Sequence, residues 1–161
     1  MIGVETDVSG EWEGRIDWPA LARSAVHAAV AHSRHARLSD CEVSVKFTSD
    51  DEVRVLNAAW RGKDSATNVL SFPMADEAGL ADAQLLDDIV LAHGICAAEA
   101  AEKEVAIETH AAHLVVHGTL HLLGYDHETS DADAEEMEEA ERRALESIGI
   151  SDPYHVTEVQ F

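Results

Sequence analysis

The run His117-Gly118-Thr119-Leu120-His121-Leu122-Leu123-Gly124-Tyr125-Asp126-His127 constrains the fold more than any other part of the chain. It places two histidines four residues apart inside an apolar stretch, and a third six residues further on. Residues i and i+4 of a helix share a face and stand about 6 Å apart along its axis. Two such imidazoles can therefore reach one ion. Gly124 is placed to close the helix, since glycine adopts the left-handed conformation found at helix C-termini. The chain can then turn back and bring His127 to the same ion. Three neutral nitrogen donors with an open fourth position is the arrangement of catalytic zinc, and the set also suits nickel or copper. Asp126 can replace His127 as a ligand or orient a ligating ring.

The pattern H-x-x-x-H-x-x-G-x-x-H is similar in ligand spacing to the metzincin metalloproteases. Those enzymes carry a glutamate base where this chain has Gly118. Without a carboxylate to take a proton from water, peptide hydrolysis by that route is not expected. His113 lies one turn before His117 and about 12 Å from His121 along a straight helix, too far to share an ion with both. It is expected to serve packing, a neighbouring ligand or a substrate.

Around this motif, helices and strands alternate. Residues 1–16 read as an edge strand or a frayed arm with little core material. Asp17-Trp18-Pro19 opens a helix over 18–35, proline being favoured in a first turn. His27, His32 and His35 fall on it as surface or internally satisfied side chains. Residues 42–48 alternate with period two, as a strand does. Ser49-Asp-Asp-Glu52 is a capping box. It opens a helix with Val53, Val55, Leu56, Ala59 and Trp60 on its apolar side, ended by Arg61-Gly62. Asn68–Phe72 is a strand stopped by Pro73, 74–84 a loop, and Asp88–Ala92 a third strand. Helices follow at 93–103, at 107–123 with the histidine pair, and at 131–148. The last presents Met137, Ala140, Ala144, Leu145 and Ile148 inward and an acidic face outward. The expected fold class is α+β: a single domain over 1–161, a mixed β-sheet packed with about five helices, and a metal site at a helix end.

The net charge of −21 is unevenly spread. Residues 1–73 hold 8 basic and 11 acidic side chains, a net of −3; residues 74–161 hold 3 and 21, a net of −18. General attraction to nucleic acid is excluded, because it needs clustered Lys and Arg. Any such contact must use a local basic spot in the first half. No run approaches the roughly 20 apolar residues that span a bilayer, and the start lacks a basic-then-apolar leader. A cytoplasmic protein without membrane contact is expected. Cys41 and Cys96 form no CxxC and suit small buried side chains.

The second chemical stretch is Arg61-Gly-Lys-Asp-Ser-Ala-Thr-Asn-Val-Leu-Ser-Phe72. Arg61 offers a planar fork of donors that fits phosphate, and Lys63 a point charge. The same residues also fit an ordinary helix C-terminus, where cations favour the dipole. Together with Asp88-Ile-Val and His113–His127, this stretch resembles the YbeY family of bacterial single-strand-specific, metal-dependent endoribonucleases of rRNA maturation. The resemblance runs from about Val43 to Tyr154. It implies one zinc ion per chain on His117, His121 and His127, other transition metals remaining possible, with Asp126 beside them. It makes Arg61 the functionally important arginine and, with Lys63 and Asn68, a substrate contact. It further implies action in 16S rRNA 3′ end maturation and ribosome quality control, with single-stranded RNA, rRNA, the ribosome and assembly proteins as partners. Ala66 and Asp87 depart from the family pattern, where proline and glycine are usual. Two other readings compete: a non-catalytic zinc-containing ribosome-assembly factor, and a metal-dependent hydrolase of another substrate.

Overall fold

The structure, a computed structural model, describes residues 3–12, 14–33, 42–73, 85–123, 125 and 131–150. Its sheet is built from β1 (Gly3–Val8), β2 (Glu42–Thr48), β3 (Val69–Pro73) and β4 (Leu85–Ala92), in the order β1-β2-β4-β3. β1, β2 and β4 run parallel, and β3 pairs antiparallel with β4, so the sheet is mixed as expected. The helices are α1 (Trp18–Ala31), α2 (Asp50–Arg61), α3 (His93–Lys103), α4 (Ile107–Leu122) and α5 (Asp131–Ser147). Residues 3–8 are thus the edge strand of the two alternatives. β4 begins three residues before the expected Asp88, with a register shift between Glu42 and Val43 of its partner. His35, Cys41, the expected loop at 74–84 and residues 151–161 lie outside the described residues.

Local signals account for the helix ends. Asp17 Oδ1 accepts from Ala20 N at 3.0 Å, and Ser49 Oγ accepts from Glu52 N at 3.2 Å. Gly62 closes α2 at φ 69°, a left-handed conformation that carries no steric penalty for glycine. α1 stops at Ala31, with His32 as its C-cap, short of the expected 35. At the end of α4 the Tyr125 N–H donates to the Leu120 carbonyl at 3.0 Å; Gly124, expected to close the helix, lies outside the described residues.

The sheet is covered on both faces. Val43, Val45, Phe47, Ile89 and Leu91 face a core shared with α1, α4 and α5. Leu70, Val90 and Ala92 face a smaller cluster with Val53 and Leu56 of α2. Trp12, in a 3-10 turn over Gly10–Trp12, belongs to the larger core at 2% exposure, so the first segment does supply core material. Its ring centroid lies 4.9 Å from Trp18 and 5.1 Å from Phe47, in edge-on arrangements. Its indole N–H donates to the Thr48 carbonyl at 2.8 Å. The apolar side expected for α2 also needs correction. Val53 is buried and Leu56 half-buried, but Ala59 is exposed, as are Val55 at 65% and Trp60 at 73%. The patch beneath α2 is small, and the second buried position of the helix is Asn57.

α4 is the central helix, packed on α1, α3, α5, β3 and β4. From Ala111 to Leu123 only His113, His117 and His121 are not buried. A helix apolar on nearly every side belongs in a core, so its one open line is the histidine line. Gly118 lets this helix approach the sheet: a Cβ there would stand 3.0 Å from Ser71 Oγ and 3.1 Å from Ile89 Cγ2. Ile89 is fully buried and has little room to retreat. Gly118→Ala is therefore expected to destabilise the protein by up to about 2 kcal/mol. Overpacking costs about 1–3 kcal/mol, against a gain of about 1 kcal/mol from helix propensity. Urea denaturation checks this, and a variant more stable than wild type would contradict the tight contact.

Candidate active site

The histidine line of α4 faces α5. His117 Nε2 and His121 Nε2 are 3.1 Å apart, with ring centroids at 4.6 Å. Two nitrogens about 2.0–2.1 Å from a tetrahedral zinc would stand roughly 3.3 Å apart, so this pair fits a shared ion. Among the described residues no cluster of three or more His, Cys, Asp or Glu groups is placed to hold a metal. The expected third ligand, His127, and its neighbour Asp126 lie outside those residues.

α5 adds a residue absent from the sequence reading. Glu141, 1% exposed, has Oε1 2.6 Å from His117 Nδ1 and Oε2 3.0 Å from His113 Nε2. Burial pushes this carboxyl up, but the His113 and His117 hydrogen bonds outweigh burial and hold it at about 2. His113 is thus tied to a carboxylate on α5. A signal was legible: Glu141 sits on the stripe formed by Met137, Ala140, Ala144 and Leu145, all buried, where a solvated glutamate does not belong.

Arg61 is linked to α4 through β3. At the end of α2 it donates from Nη2 to the Ser71 carbonyl on β3 at 3.2 Å. Ser71 Oγ in turn donates to the Gly118 carbonyl at 3.2 Å. The two stretches singled out in the sequence therefore meet through one serine, at the α4 turn between the two ligand candidates. Lys63 is exposed beside Arg61, and among the described residues neither forms an ion pair. Arg54, by contrast, is paired with Asp64 at 2.7 and 3.1 Å.

Asn68 has both ends of its amide engaged within the fold. Oδ1 accepts from Val69 N at 2.7 Å, and Nδ2 donates to Glu99 Oε1 at 3.0 Å. Glu99 Oε1 also lies 2.8 Å from Nε2 of His110, so α3 ties the start of β3 to α4. Cys96 stands beside this cluster, and burial pushes its thiol up to about 12. Such a thiol is a core group and not a nucleophile.

The fold and site define an α+β protein whose central helix offers a histidine pair, backed by a buried carboxylate, and meets a strand that anchors an exposed arginine. The sequence profile of the family described as Endoribonuclease YbeY matches residues 11–149. Relatives of that name from Novosphingobium aromaticivorans and Rhizorhabdus wittichii are 49% and 50% identical, over 95% and 98% of this chain and 96% and 99% of their own. The solution structure of TM1509 from Thermotoga maritima is similar at a TM-score of 0.56 and 26% identity, covering 92% of this chain and 91% of that one. The chain belongs to the YbeY family.

The His110 contact carries a pH dependence. Burial lowers the imidazole pKa; the Glu99 hydrogen bond opposes this only partly, and Lys103 lowers it further. The folded state thus holds His110 neutral, while the unfolded chain takes up a proton near the ordinary value of about 6.5. The contribution to stability is present above that value and is lost as pH falls below it. His110→Gln is expected to show a smaller fall in urea midpoint between pH 7.5 and 5.5 than wild type. An equal fall in both would remove His110 from the acid sensitivity.

Proposed function

We propose that this chain is a single-strand-specific, metal-dependent endoribonuclease acting in 16S rRNA 3′ end maturation and ribosome quality control, in the cytoplasm. RNA cleavage is supported by membership of the YbeY family and by relatives of about half identity that bear the name endoribonuclease. The observation that supports the site reading is the path from Arg61 through Ser71 to Gly118, which ties the proposed phosphate-binding arginine to the helix that carries the histidine pair.

His117, His121 and His127 are the proposed ligands of one zinc ion, with Asp126 orienting one of the rings; three nitrogen donors also accept other transition metals. Such an ion supplies a Lewis acid for phosphoryl oxygen or water. Arg61 holds the phosphate and offsets the charge that develops on it. Lys63 adds a point charge at the exposed rim. Asn68, whose amide ties the start of β3 to Glu99, is the third proposed substrate contact. Single strands fit because they can bend into a cleft. The acidic surplus limits RNA contact to this spot, so the ribosome and its assembly proteins are the proposed guides to the rRNA. Among the described residues no helix is long and apolar enough to cross a membrane.

Gly118 also supports a second reading, in which the zinc is structural in a ribosome-assembly factor. The helix has no general base at that position, and a side chain would collide with the sheet there. Structural zinc contributes directly to folding, so chelation would then melt the protein.

The zinc-loaded protein is expected to cleave single-stranded RNA and to keep nearly the same melting curve after chelation. Arg61→Ala should lower kcat about 10²–10³-fold with metal content unchanged, and His121→Ala should lose both metal and cleavage. A His121→Ala protein that cleaves like wild type would refute the enzyme reading. Chelation that unfolds a cleavage-inactive protein would select the assembly factor.

A further inference from the structure

Glu141 is the most deeply buried charged side chain among the described residues, and both of its oxygens are taken by imidazoles of α4. A neutral imidazole carries one N–H and one lone pair. If His117 donates from Nδ1 to Glu141, its Nε2 is left as a lone pair. That atom is the one standing 3.1 Å from His121 Nε2. His113, one turn earlier, donates from Nε2 to the other oxygen and so fixes the plane of the carboxylate. We infer that Glu141 is a positioning residue of the metal site, one that holds His117 in the Nδ1–H tautomer with Nε2 aimed at the ion. The inference rests on His117 and His121 being metal ligands.

Physical chemistry supports this over simple tethering of α5 to α4. Burying a carboxylate is unfavourable unless hydrogen bonds compensate, and a tether could be made from apolar side chains such as Met137, Ala144 and Leu145, which lie in the core on the same stripe. An acceptor aimed at the second nitrogen of a ligating ring raises the basicity of the first and fixes its direction. His113 extends the arrangement by one member: it meets the ion through Glu141 and not as a ligand.

Zinc affinity, measured by chelator competition on wild type, Glu141→Gln and His121→Ala, tests the inference. Glutamine keeps the volume and one acceptor but loses the charge and the second acceptor. Glu141→Gln is expected to bind zinc about 10–100-fold more weakly, and His121→Ala to lose binding. Binding lost in His121→Ala but unchanged in Glu141→Gln would overturn the inference alone, whatever happens to the melting temperature. Wild type that binds no zinc, or His121→Ala that binds as wild type does, would overturn the metal reading and this inference with it. A second measurement needs no variant. Long-range proton–nitrogen spectra of metal-free wild type at pH 7.5 should show His117 as the Nδ1–H tautomer, and an Nε2–H tautomer would overturn the assignment.

Discussion

The close approach of α4 to the sheet at Gly118 is the contact on which the rest of the site depends. With no side chain at 118, the helix backbone reaches Ser71 and Ile89. Its carbonyl receives the Ser71 hydroxyl, and the Ser71 carbonyl receives Arg61. The residue next to Gly118 is His117, about 100° further round the helix, so a face pressed to the sheet turns the histidine line toward α5. Packing on one side of α4 thereby directs chemistry on the other. The same glycine removes the carboxylate that a protease would need.

The charge distribution acquires a local meaning in three dimensions. The strongly acidic second half supplies Glu99 and Glu141, and each accepts from a histidine of α4. These two carboxylates hold α3 and α5 against the central helix and fix ring directions. Arg61 and Lys63, which form no ion pair among the described residues, come from the nearly neutral first half. Arg54 is engaged by Asp64, while Arg61 is directed to a strand carbonyl.

Much of the fold was legible. Strict alternation marked β2, the capping box marked the start of α2, and composition marked the bounds of α3. The misses have separate physical causes. Trp12 is an isolated aromatic between polar residues, and contacts remote in sequence, with Phe47, His93 and the Thr48 carbonyl, make it core. Val55 and Trp60 carry apolar side chains, but the sheet patch beneath α2 is covered once Val53 and Leu56 are seated. Glu141 was overlooked because a glutamate in an acidic helix resembles its solvated neighbours, although its place on the inward stripe set it apart.

The sequence by itself determined the elements and the i, i+4 histidine pair, because periodicity, caps and ligand spacing are properties of neighbouring residues. The tertiary structure alone decided that Arg61 meets the α4 turn through Ser71, that Asn68 is held by Glu99, and that His113 and His117 share Glu141. Those relations join residues 10 to 47 positions apart. Only the packing of α4 between the sheet and α5 brings such residues within hydrogen-bond reach.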